Sequence, residues 1–171
     1  MADWLRTLPE RDLADALRAL ADEPESERIA RRLVQERERR PITRTLELVE
    51  LICEAKGIAR RARRARASGG ALHPAALAFQ ALRMLVNDEL GALKQLLRLA
   101  SHCLRPGGRI GIISFHSGED RLVKLSFRDG VRAGAYAEAG DEPVRPSPEE
   151  IRSNPRSGSA KFRWARKEQP V

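Results

Sequence analysis

The stretch Leu104-Arg-Pro-Gly-Gly-Arg-Ile-Gly-Ile-Ile-Ser-Phe-His-Ser117 constrains the fold more than any other, because the hydrophobic period changes inside it. Arg109 to Phe115 is short, mostly apolar and rich in β-branched side chains. Such a run reads as a parallel strand covered on both faces. Pro106-Gly107-Gly108 is a turn by composition. Ser117, with Asp120 three positions on, carries the [ST]-x-x-[DE] signature of a helix start. The helix that follows has Leu122, Val123 and Phe127 on one face and is expected to end near Gly130. Helix, turn, strand, helix is an α/β unit.

Upstream of this stretch the chain reads as helices. Thr7-Leu-Pro-Glu10 is a capping box with proline in the first turn, followed by Leu13, Leu17 and Leu20 at helical spacing with Ala16 beside them. A second helix starts near Pro24 and Glu25, carries Ile29, Leu33 and Val34, and stops at Pro41. Its other face alternates Glu and Arg through Arg40, the usual pattern of a solvated surface. Thr43 or Thr45 caps a third helix holding Leu46, Val49, Ile52 and Cys53, which Gly57 ends. Helices this short need one another to build a core. From Pro74 the pattern returns with Phe79, Leu82, Leu85 and Val86. Asn87-Asp88 ends that helix and caps the next, which carries Leu90, Leu93, Leu96, Leu97 and Ala100.

Downstream, residues 140–159 are rich in Pro, Ser, Glu and Gly and are expected to be mostly loop. Ala160-Lys-Phe-Arg-Trp-Ala-Arg166 alternates apolar with basic residues, as a strand with one face in water or on phosphate does. A third strand is expected near Tyr136.

A chain of 171 residues fits one domain, or a compact domain carrying a small subdomain. Aromatic residues are only 4% of it, so the core must be Leu, Ile, Val and Ala, which suits helices better than a β-sandwich. The net charge of +8 favours a polyanionic partner, because each neutralised phosphate releases counterions. Plain solubility is the competing reading of that charge. Cys53 and Cys103 belong to no CxxC or CxxxH pair, which argues against a disulfide scaffold or a metal site and for buried thiols in a reducing cytoplasm. No signal-peptide pattern opens the sequence, and no apolar stretch nears the roughly 20 residues that span a bilayer. A soluble, cytoplasmic protein without a membrane partner is the expectation.

Two places invite a functional reading. Arg60-Arg-Ala-Arg-Arg-Ala-Arg66 is either a solvated linker or a phosphate-contacting arm, since the guanidinium fork matches phosphate oxygens. His116, Ser117, Glu119 and Asp120 sit at the carboxyl end of a strand and the amino end of a helix, where ligands of open α/β sheets bind. Capping alone would also explain Ser117 and Asp120, a first-turn carboxylate Glu119, and a loop anchor His116. No Ser-His-Asp set and no acid–base pair stands out. Gly107-Gly108 precedes a strand rather than linking strand to helix, so it is a turn and not a nucleotide cradle.

Several segments, in order, carry a resemblance. They are Arg40-Pro-Ile-Thr-Arg-Thr45, His73-Pro-Ala-Ala-Leu-Ala-Phe-Gln-Ala-Leu-Arg-Met-Leu-Val-Asn-Asp-Glu-Leu90 and Leu104-Arg-Pro-Gly-Gly-Arg109. Ile113-Ser-Phe-His-Ser-Gly-Glu-Asp-Arg-Leu-Val-Lys124 follows, then Pro146-Ser-Pro-Glu-Glu150 with Asn154-Pro-Arg-Ser-Gly-Ser-Ala-Lys161. Together they resemble the bacterial family that methylates N4 of a cytosine in 16S ribosomal RNA, the RsmH or MraW family, over nearly the whole chain.

The resemblance implies an α/β fold: the C-terminal half of a Rossmann-like methyltransferase sheet, with an α-helical insertion subdomain. Residues 1–72 would be the insertion, which helps recognise RNA, and 73–171 the second half of the catalytic domain. It implies S-adenosylmethionine as cofactor and the small ribosomal subunit with its RNA as partner. Direct methyl transfer to an exocyclic amine needs the base extruded and its nitrogen aligned with methyl and sulfur, with no covalent cysteine intermediate. On the RNA side the implied residues are His116, Ser117, Glu119, Asp120, Asn87, Arg60, Arg61, Arg63, Arg64, Lys161 and Arg163. Catalytic residues stay unassigned.

The departures are as informative. The family's cofactor motifs, a Gly-Gly-His loop, an acidic ribose contact and a later Asp-bearing strand end, lie upstream of the insertion, and no residue here matches them. Ala76-Leu-Ala78 stands where the family usually has Thr-Arg-Thr, Gly158 where it has Arg, and Gly118 where it has Leu. The expectation is a truncated or split enzyme that lacks methyl transfer alone, with a separate N-terminal half and a homodimer as further partners. A non-catalytic RNA- or ribosome-binding protein is the alternative. A decaying fragment, its strand 109–115 lacking neighbours and exposing apolar surface, is a third.

Overall fold

The computed structural model describes residues 2–58 and 73–169. It is a mixed α/β structure that divides into two compact units, residues 1–88 and 89–171.

The first unit is helical. Helices α1 (Ala2–Thr7), α2 (Glu10–Ala21), α3 (Ser26–Arg39), α4 (Thr45–Ala55) and α5 (Ala76–Asn87) surround one apolar core. Leu13 and Leu17 of α2, Ile29 and Leu33 of α3, Leu48, Leu51 and Ile52 of α4, and Leu82 of α5 are all buried. Their spacing of three and four places them on one face of each helix. Two of the expected starts shift. Pro9, not Thr7, precedes α2, because α1 occupies the residues through Thr7. Arg44 precedes α4 with no side-chain cap, and Leu46 points outward at 77% exposed while Leu48 and Leu51 take the core.

Inside this unit Glu23 is fully buried and meets Lys56 Nζ at 2.7 Å, and the same ammonium donates to the Pro74 carbonyl at 2.7 Å. The Glu/Arg face of α3 is less solvated than its pattern implies. Glu36 is buried between Arg32 and Arg40, which donate to it at 2.9 and 2.7 Å. Those hydrogen bonds, Arg40's first, hold its carboxyl below the usual range against the opposing effect of burial. Asp88, in the left-handed region at φ 47°, ends α5 where Asn87-Asp88 predicts a stop.

In the second unit α6 (Glu89–Cys103) leads through the Pro-Gly-Gly turn, with Gly107 at φ 70°, into β1 (Arg109–Ser114). Helix α7 (Ser117–Arg132) then leads to β2 (Tyr136–Ala139). Helix α8 (Pro148–Ser153) and a 3₁₀ turn (Pro155–Ser159) precede β3 (Lys161–Lys167). The stretch 140–159 is therefore more regular than its composition suggests. The Ser147 hydroxyl accepts from Glu150 N at 3.1 Å, a cap readable in Ser147-Pro-Glu-Glu150.

The sheet corrects an expectation. Its order is β1-β3-β2, and β3 runs antiparallel to both neighbours. Strands β1 and β2 therefore run in the same direction with α7 crossing between them, but β3 lies inserted between the two. β1 is not covered on both faces either. Ile110 and Ile112 pack with Val123, Phe127, Tyr136 and Ala165, while Ile113 is 58% exposed. The strand pattern identifies the element, whereas pairing direction depends on β3, some fifty residues away in sequence.

Cys53 is buried and Cys103 is exposed, both as free thiols. Among the described residues no helix is long and apolar enough to cross a membrane.

Candidate functional site

β1 delivers its last residue, Ser114, into the interior, and the chain then turns outward through Phe115 and His116 into α7. The turn is fixed by side chains. His116 has extended backbone and is itself the cap of α7, its Nδ1 accepting from Glu119 N at 3.3 Å. Glu119 reaches back, its Oε2 accepting from Phe115 N at 3.2 Å. The result is a reciprocal cap displaced by one residue from the Ser117–Asp120 pair that the sequence suggests, with Glu119 reaching one residue beyond the cap itself. Because Nδ1 is an acceptor, neutral His116 carries its proton on Nε2. That atom lies 3.1 Å from Glu119 Oε1, but the angle is too poor for a hydrogen bond.

Freed from capping, Asp120 faces β3. Arg163 Nε donates to its Oδ1 at 2.7 Å and Arg163 Nη2 to its Oδ2 at 3.3 Å, while Lys161 Nζ stands 3.6 Å from Oδ2. Arg163 is buried and gives a third bond to the Asp141 carbonyl at 3.0 Å. The Arg163 hydrogen bonds hold the Asp120 carboxyl below the usual range; burial pushes the other way, and Lys161 adds to the lowering. A forked guanidinium on a carboxylate is the geometry arginine supplies and lysine does not.

Five of the expected site residues thus fall into two clusters around the start of α7. His116 and Glu119 make one; Asp120, Lys161 and Arg163 make the other. Ser117 is exposed on the first turn. Asn87 is the last residue of α5 and belongs to the other unit. Arg60, Arg61, Arg63 and Arg64 lie outside the described residues.

Sequence reasoning missed a basic stripe. Lys124, Arg128 and Arg132 follow one another at four-residue spacing along α7 and line a cavity of about 430 Å³ together with Phe127 and Ala137. The spacing was readable, but a stripe of charge acquires meaning only beside a concavity.

Chemically, the cluster holds a loop in place and leaves neither His116 Nδ1 nor Asp120 free to act as a base. The His116 acceptor nitrogen is occupied by a backbone amide, and Asp120 is neutralised by two cations. The residues present do not fit an S-adenosylmethionine site, because the carboxylates at the end of β1 are engaged within the protein and the glycine pair lies at the other end of that strand. No step of a transfer reaction is therefore assigned to them. Among the described residues no group of three His, Cys, Asp or Glu side chains is placed to hold a metal ion.

Residues 1–168 match the family described as the MraW methylase family. The chain is similar to proteins called ribosomal RNA small subunit methyltransferase H. It is 48% identical to that of Crocosphaera subtropica over 155 residues, covering 91% of this chain and 45% of the relative. For Rhodopirellula baltica the values are 44% over 165 residues, 96% and 47%. For Methylococcus capsulatus they are 43% over 178 residues, 97% and 56%. The chain spans about half the length of the curated relatives it matches.

Proposed function

The chain belongs to the MraW methylase family, and on that premise we propose that it forms the RNA-facing part of an S-adenosylmethionine-dependent methyltransferase acting on N4 of a cytosine in 16S ribosomal RNA. The observation that carries the reading is the match along residues 1–168 to relatives named as small-subunit ribosomal RNA methyltransferases. Residues 1–72 act as the helical insertion and 73–171 as the second part of the catalytic domain. The groups that hold the cofactor belong to polypeptide outside these 171 residues. His116 and Ser117 lie at the strand end where an extruded base is received, and Asp120 with Arg163 keeps that end rigid. The net charge of +8 supports binding to the RNA backbone in the cytoplasm, where ribosomes are.

The second reading, a non-catalytic RNA-binding protein, is favoured by one observation. His116 Nδ1 and the Asp120 carboxylate make internal contacts that leave neither available as a base. One assay separates the two. The purified chain is incubated with unmodified small subunits and labelled S-adenosylmethionine, with and without the part of a curated relative that lies outside the match. Methyl transfer only with the added part is expected. Turnover by the chain alone would overturn the division of labour, and salt-dependent RNA binding without turnover in either arm would establish the second reading.

A further inference from the structure

Helix α7 carries core on one side and charge on the other. Val123 and Phe127 are buried, while Arg121, Lys124, Arg128 and Arg132 are exposed. Steps of three and four residues put those four cations on one stripe of the helix. At 1.5 Å per residue the stripe is about 16 Å long. The protein neutralises little of it. Arg128 and Arg132 share the single carboxylate of Asp129, at 3.3 and 3.8 Å, in exposed pairs that hold weakly. Among the described residues Arg121 and Lys124 make no ion pair.

Beside the stripe lies the cavity of about 430 Å³ between α7 and β2, within the size range of ligand sites. Phe127 and Val131 from the helix and Ala137 and Ala139 from the strand give it an apolar lining. Arg163 also borders it but is committed to Asp120. Two carboxylates stand on the strand side, Glu138, which Arg166 holds at 2.9 Å, and Asp141.

The combination selects among ligands. A bare polyanion would use the stripe but would leave the apolar slot empty and meet Asp141. An apolar ligand would fill the slot and leave the cations unanswered. A nucleic-acid duplex presents phosphates, yet keeps its bases stacked inside. An unpaired strand satisfies every part: phosphates on the cations, a flat base against the apolar lining, and a base amino group to donate to Asp141.

We propose that α7 and β2 form a second contact for single-stranded ribosomal RNA, with phosphates along the Arg121–Arg132 stripe and one unstacked base in the cavity. The proposal rests on the reading of the chain as RNA-facing and adds a site to it. This site is separate from the end of β1, because Lys124 and Arg132 lie about 12 and 24 Å along the helix from His116. It would hold RNA flanking the reacting base rather than the base itself.

The test measures binding of the full chain to a single-stranded cytidine oligomer of about ten nucleotides, by fluorescence anisotropy across a salt series. The same oligomer without bases, a duplex RNA and polyglutamate serve as further probes. Lys124→Glu with Arg128→Glu should weaken the cytidine oligomer at least about tenfold. It should also flatten the salt dependence by about 1.4, the loss of two phosphates at roughly 0.7 each. Lys94→Glu with Arg98→Glu makes the same charge change at the same spacing on α6 and should have little effect. Ala137→Leu fills the slot and should weaken binding at least about fivefold with the salt dependence unchanged. It should not alter binding of the oligomer without bases. Melting temperatures accompany each variant, and Lys124→Ala with Arg128→Ala and Ala139→Leu stand in for any that melts early.

Wild-type RNA binding that both α7 and slot variants retain overturns the site and leaves the RNA-facing reading intact. Failure of the wild type to bind any RNA overturns both. Equal losses from the α6 and α7 pairs would reduce the stripe to general charge. Duplex bound as tightly as the single strand, or an Ala137→Leu variant that binds normally, would empty the slot. Polyglutamate bound as tightly as the cytidine oligomer would assign the surface to an acidic peptide. Each of these last three outcomes also overturns the proposal.

Discussion

The two units solve the burial problem differently. Among the described residues the core of the helical unit gathers seventeen buried apolar side chains, from Leu5 to Leu82, whereas that of the sheet unit gathers five. The large exposed apolar residues show the reverse. Leu46 is in the helical unit, while Leu96, Leu99, Ile113, Phe115, Leu125, Val144, Ile151 and Phe162 are all in the sheet unit. Helices that each bury one stripe can close a core among themselves. A three-stranded antiparallel sheet with helices on one side closes a smaller core and leaves its second face uncovered by the unit itself. Contacts that the sheet unit lacks are thus what its fold predicts, and the helical unit supplies the standard for comparison.

Truncating a leucine in each unit sharpens the contrast most. Leu33 is 1% exposed and Leu96 is 51% exposed. Leu33→Ala is expected to cost about 2–5 kcal/mol, the range for a buried leucine, and Leu96→Ala less than about 0.5 kcal/mol. Unit-resolved hydrogen exchange in the native state reads both. A cost of several kcal/mol at Leu96 would mean that the sheet unit hides a core larger than its burial pattern shows, and the comparison would fail.

One buried ion pair from each unit can be compared, Glu23–Lys56 in the first and Asp120–Arg163 in the second. Glu23 is fully buried, and Glu23→Ala strands an ammonium that retains only the Pro74 carbonyl. We expect a loss of about 3–5 kcal/mol, as for other buried pairs with one partner removed. Arg163 keeps its bond to the Asp141 carbonyl if Asp120 is lost, and the Asp120 side chain is 15% exposed. Asp120→Ala should therefore cost less, about 2–3 kcal/mol by the weight of a charged hydrogen bond that is lost and its stranded partner. Equal losses in urea melts would show that the start of α7 is as dry as the helical core.

How much of this was legible follows from range in sequence. The helical stripes and β1 are local patterns, and Leu13, Leu17, Ile29 and Leu33 fall where the spacing puts them. The antiparallel insertion of β3 was not legible, because nothing in Arg109–Phe115 records which strand it meets. The cap of α7 failed for a related reason. Ser117 and Asp120 fit the local signature, but Arg163, forty-three residues away, takes Asp120, and His116 takes over the cap. Of the candidate site, the residues were visible and their partners were not.

Acid sharpens the comparison of the ion pairs. The folded Asp120 carboxyl is held below the usual range, chiefly by Arg163, and Glu36 in the helical unit is lowered by Arg40 and Arg32. A depressed folded pKa means that the contribution is complete above the unfolded carboxylate value, about 4, and is lost as pH falls through the folded one. Melting temperatures between pH 6 and pH 2 should therefore drop at the acid end. Asp120→Asn should lower the plateau and flatten the drop in the sheet unit alone, and Glu36→Gln in the helical unit alone. A drop unchanged in Asp120→Asn would remove the Arg163 pair as its cause.

The smallest effect expected has the opposite sign. Among the described residues each unit buries one hydroxyl that finds no hydrogen-bond partner, Ser26 at the first turn of α3 and Tyr136 on β2. Burial pushes the Tyr136 phenol above its ordinary pKa, consistent with a hydroxyl cut off from water. Its ring meanwhile packs edge-on against Phe127 with centroids 5.6 Å apart. Tyr136→Phe keeps that ring contact and removes only the unpaired oxygen. Because an unsatisfied buried polar group costs about 1–3 kcal/mol, Tyr136→Phe and Ser26→Ala should each leave stability unchanged or raise it by up to about 1 kcal/mol. The two substitutions probe different closures. Ser26 sits in a core the chain completes itself, so its gain should persist in any complex. Tyr136 belongs to the unit with the open face. Tyr136 packs with Phe127 on the helix-covered side of the sheet, so its gain should appear in the melting of the sheet unit alone, and a loss of stability in Tyr136→Phe would show that its hydroxyl has a partner after all.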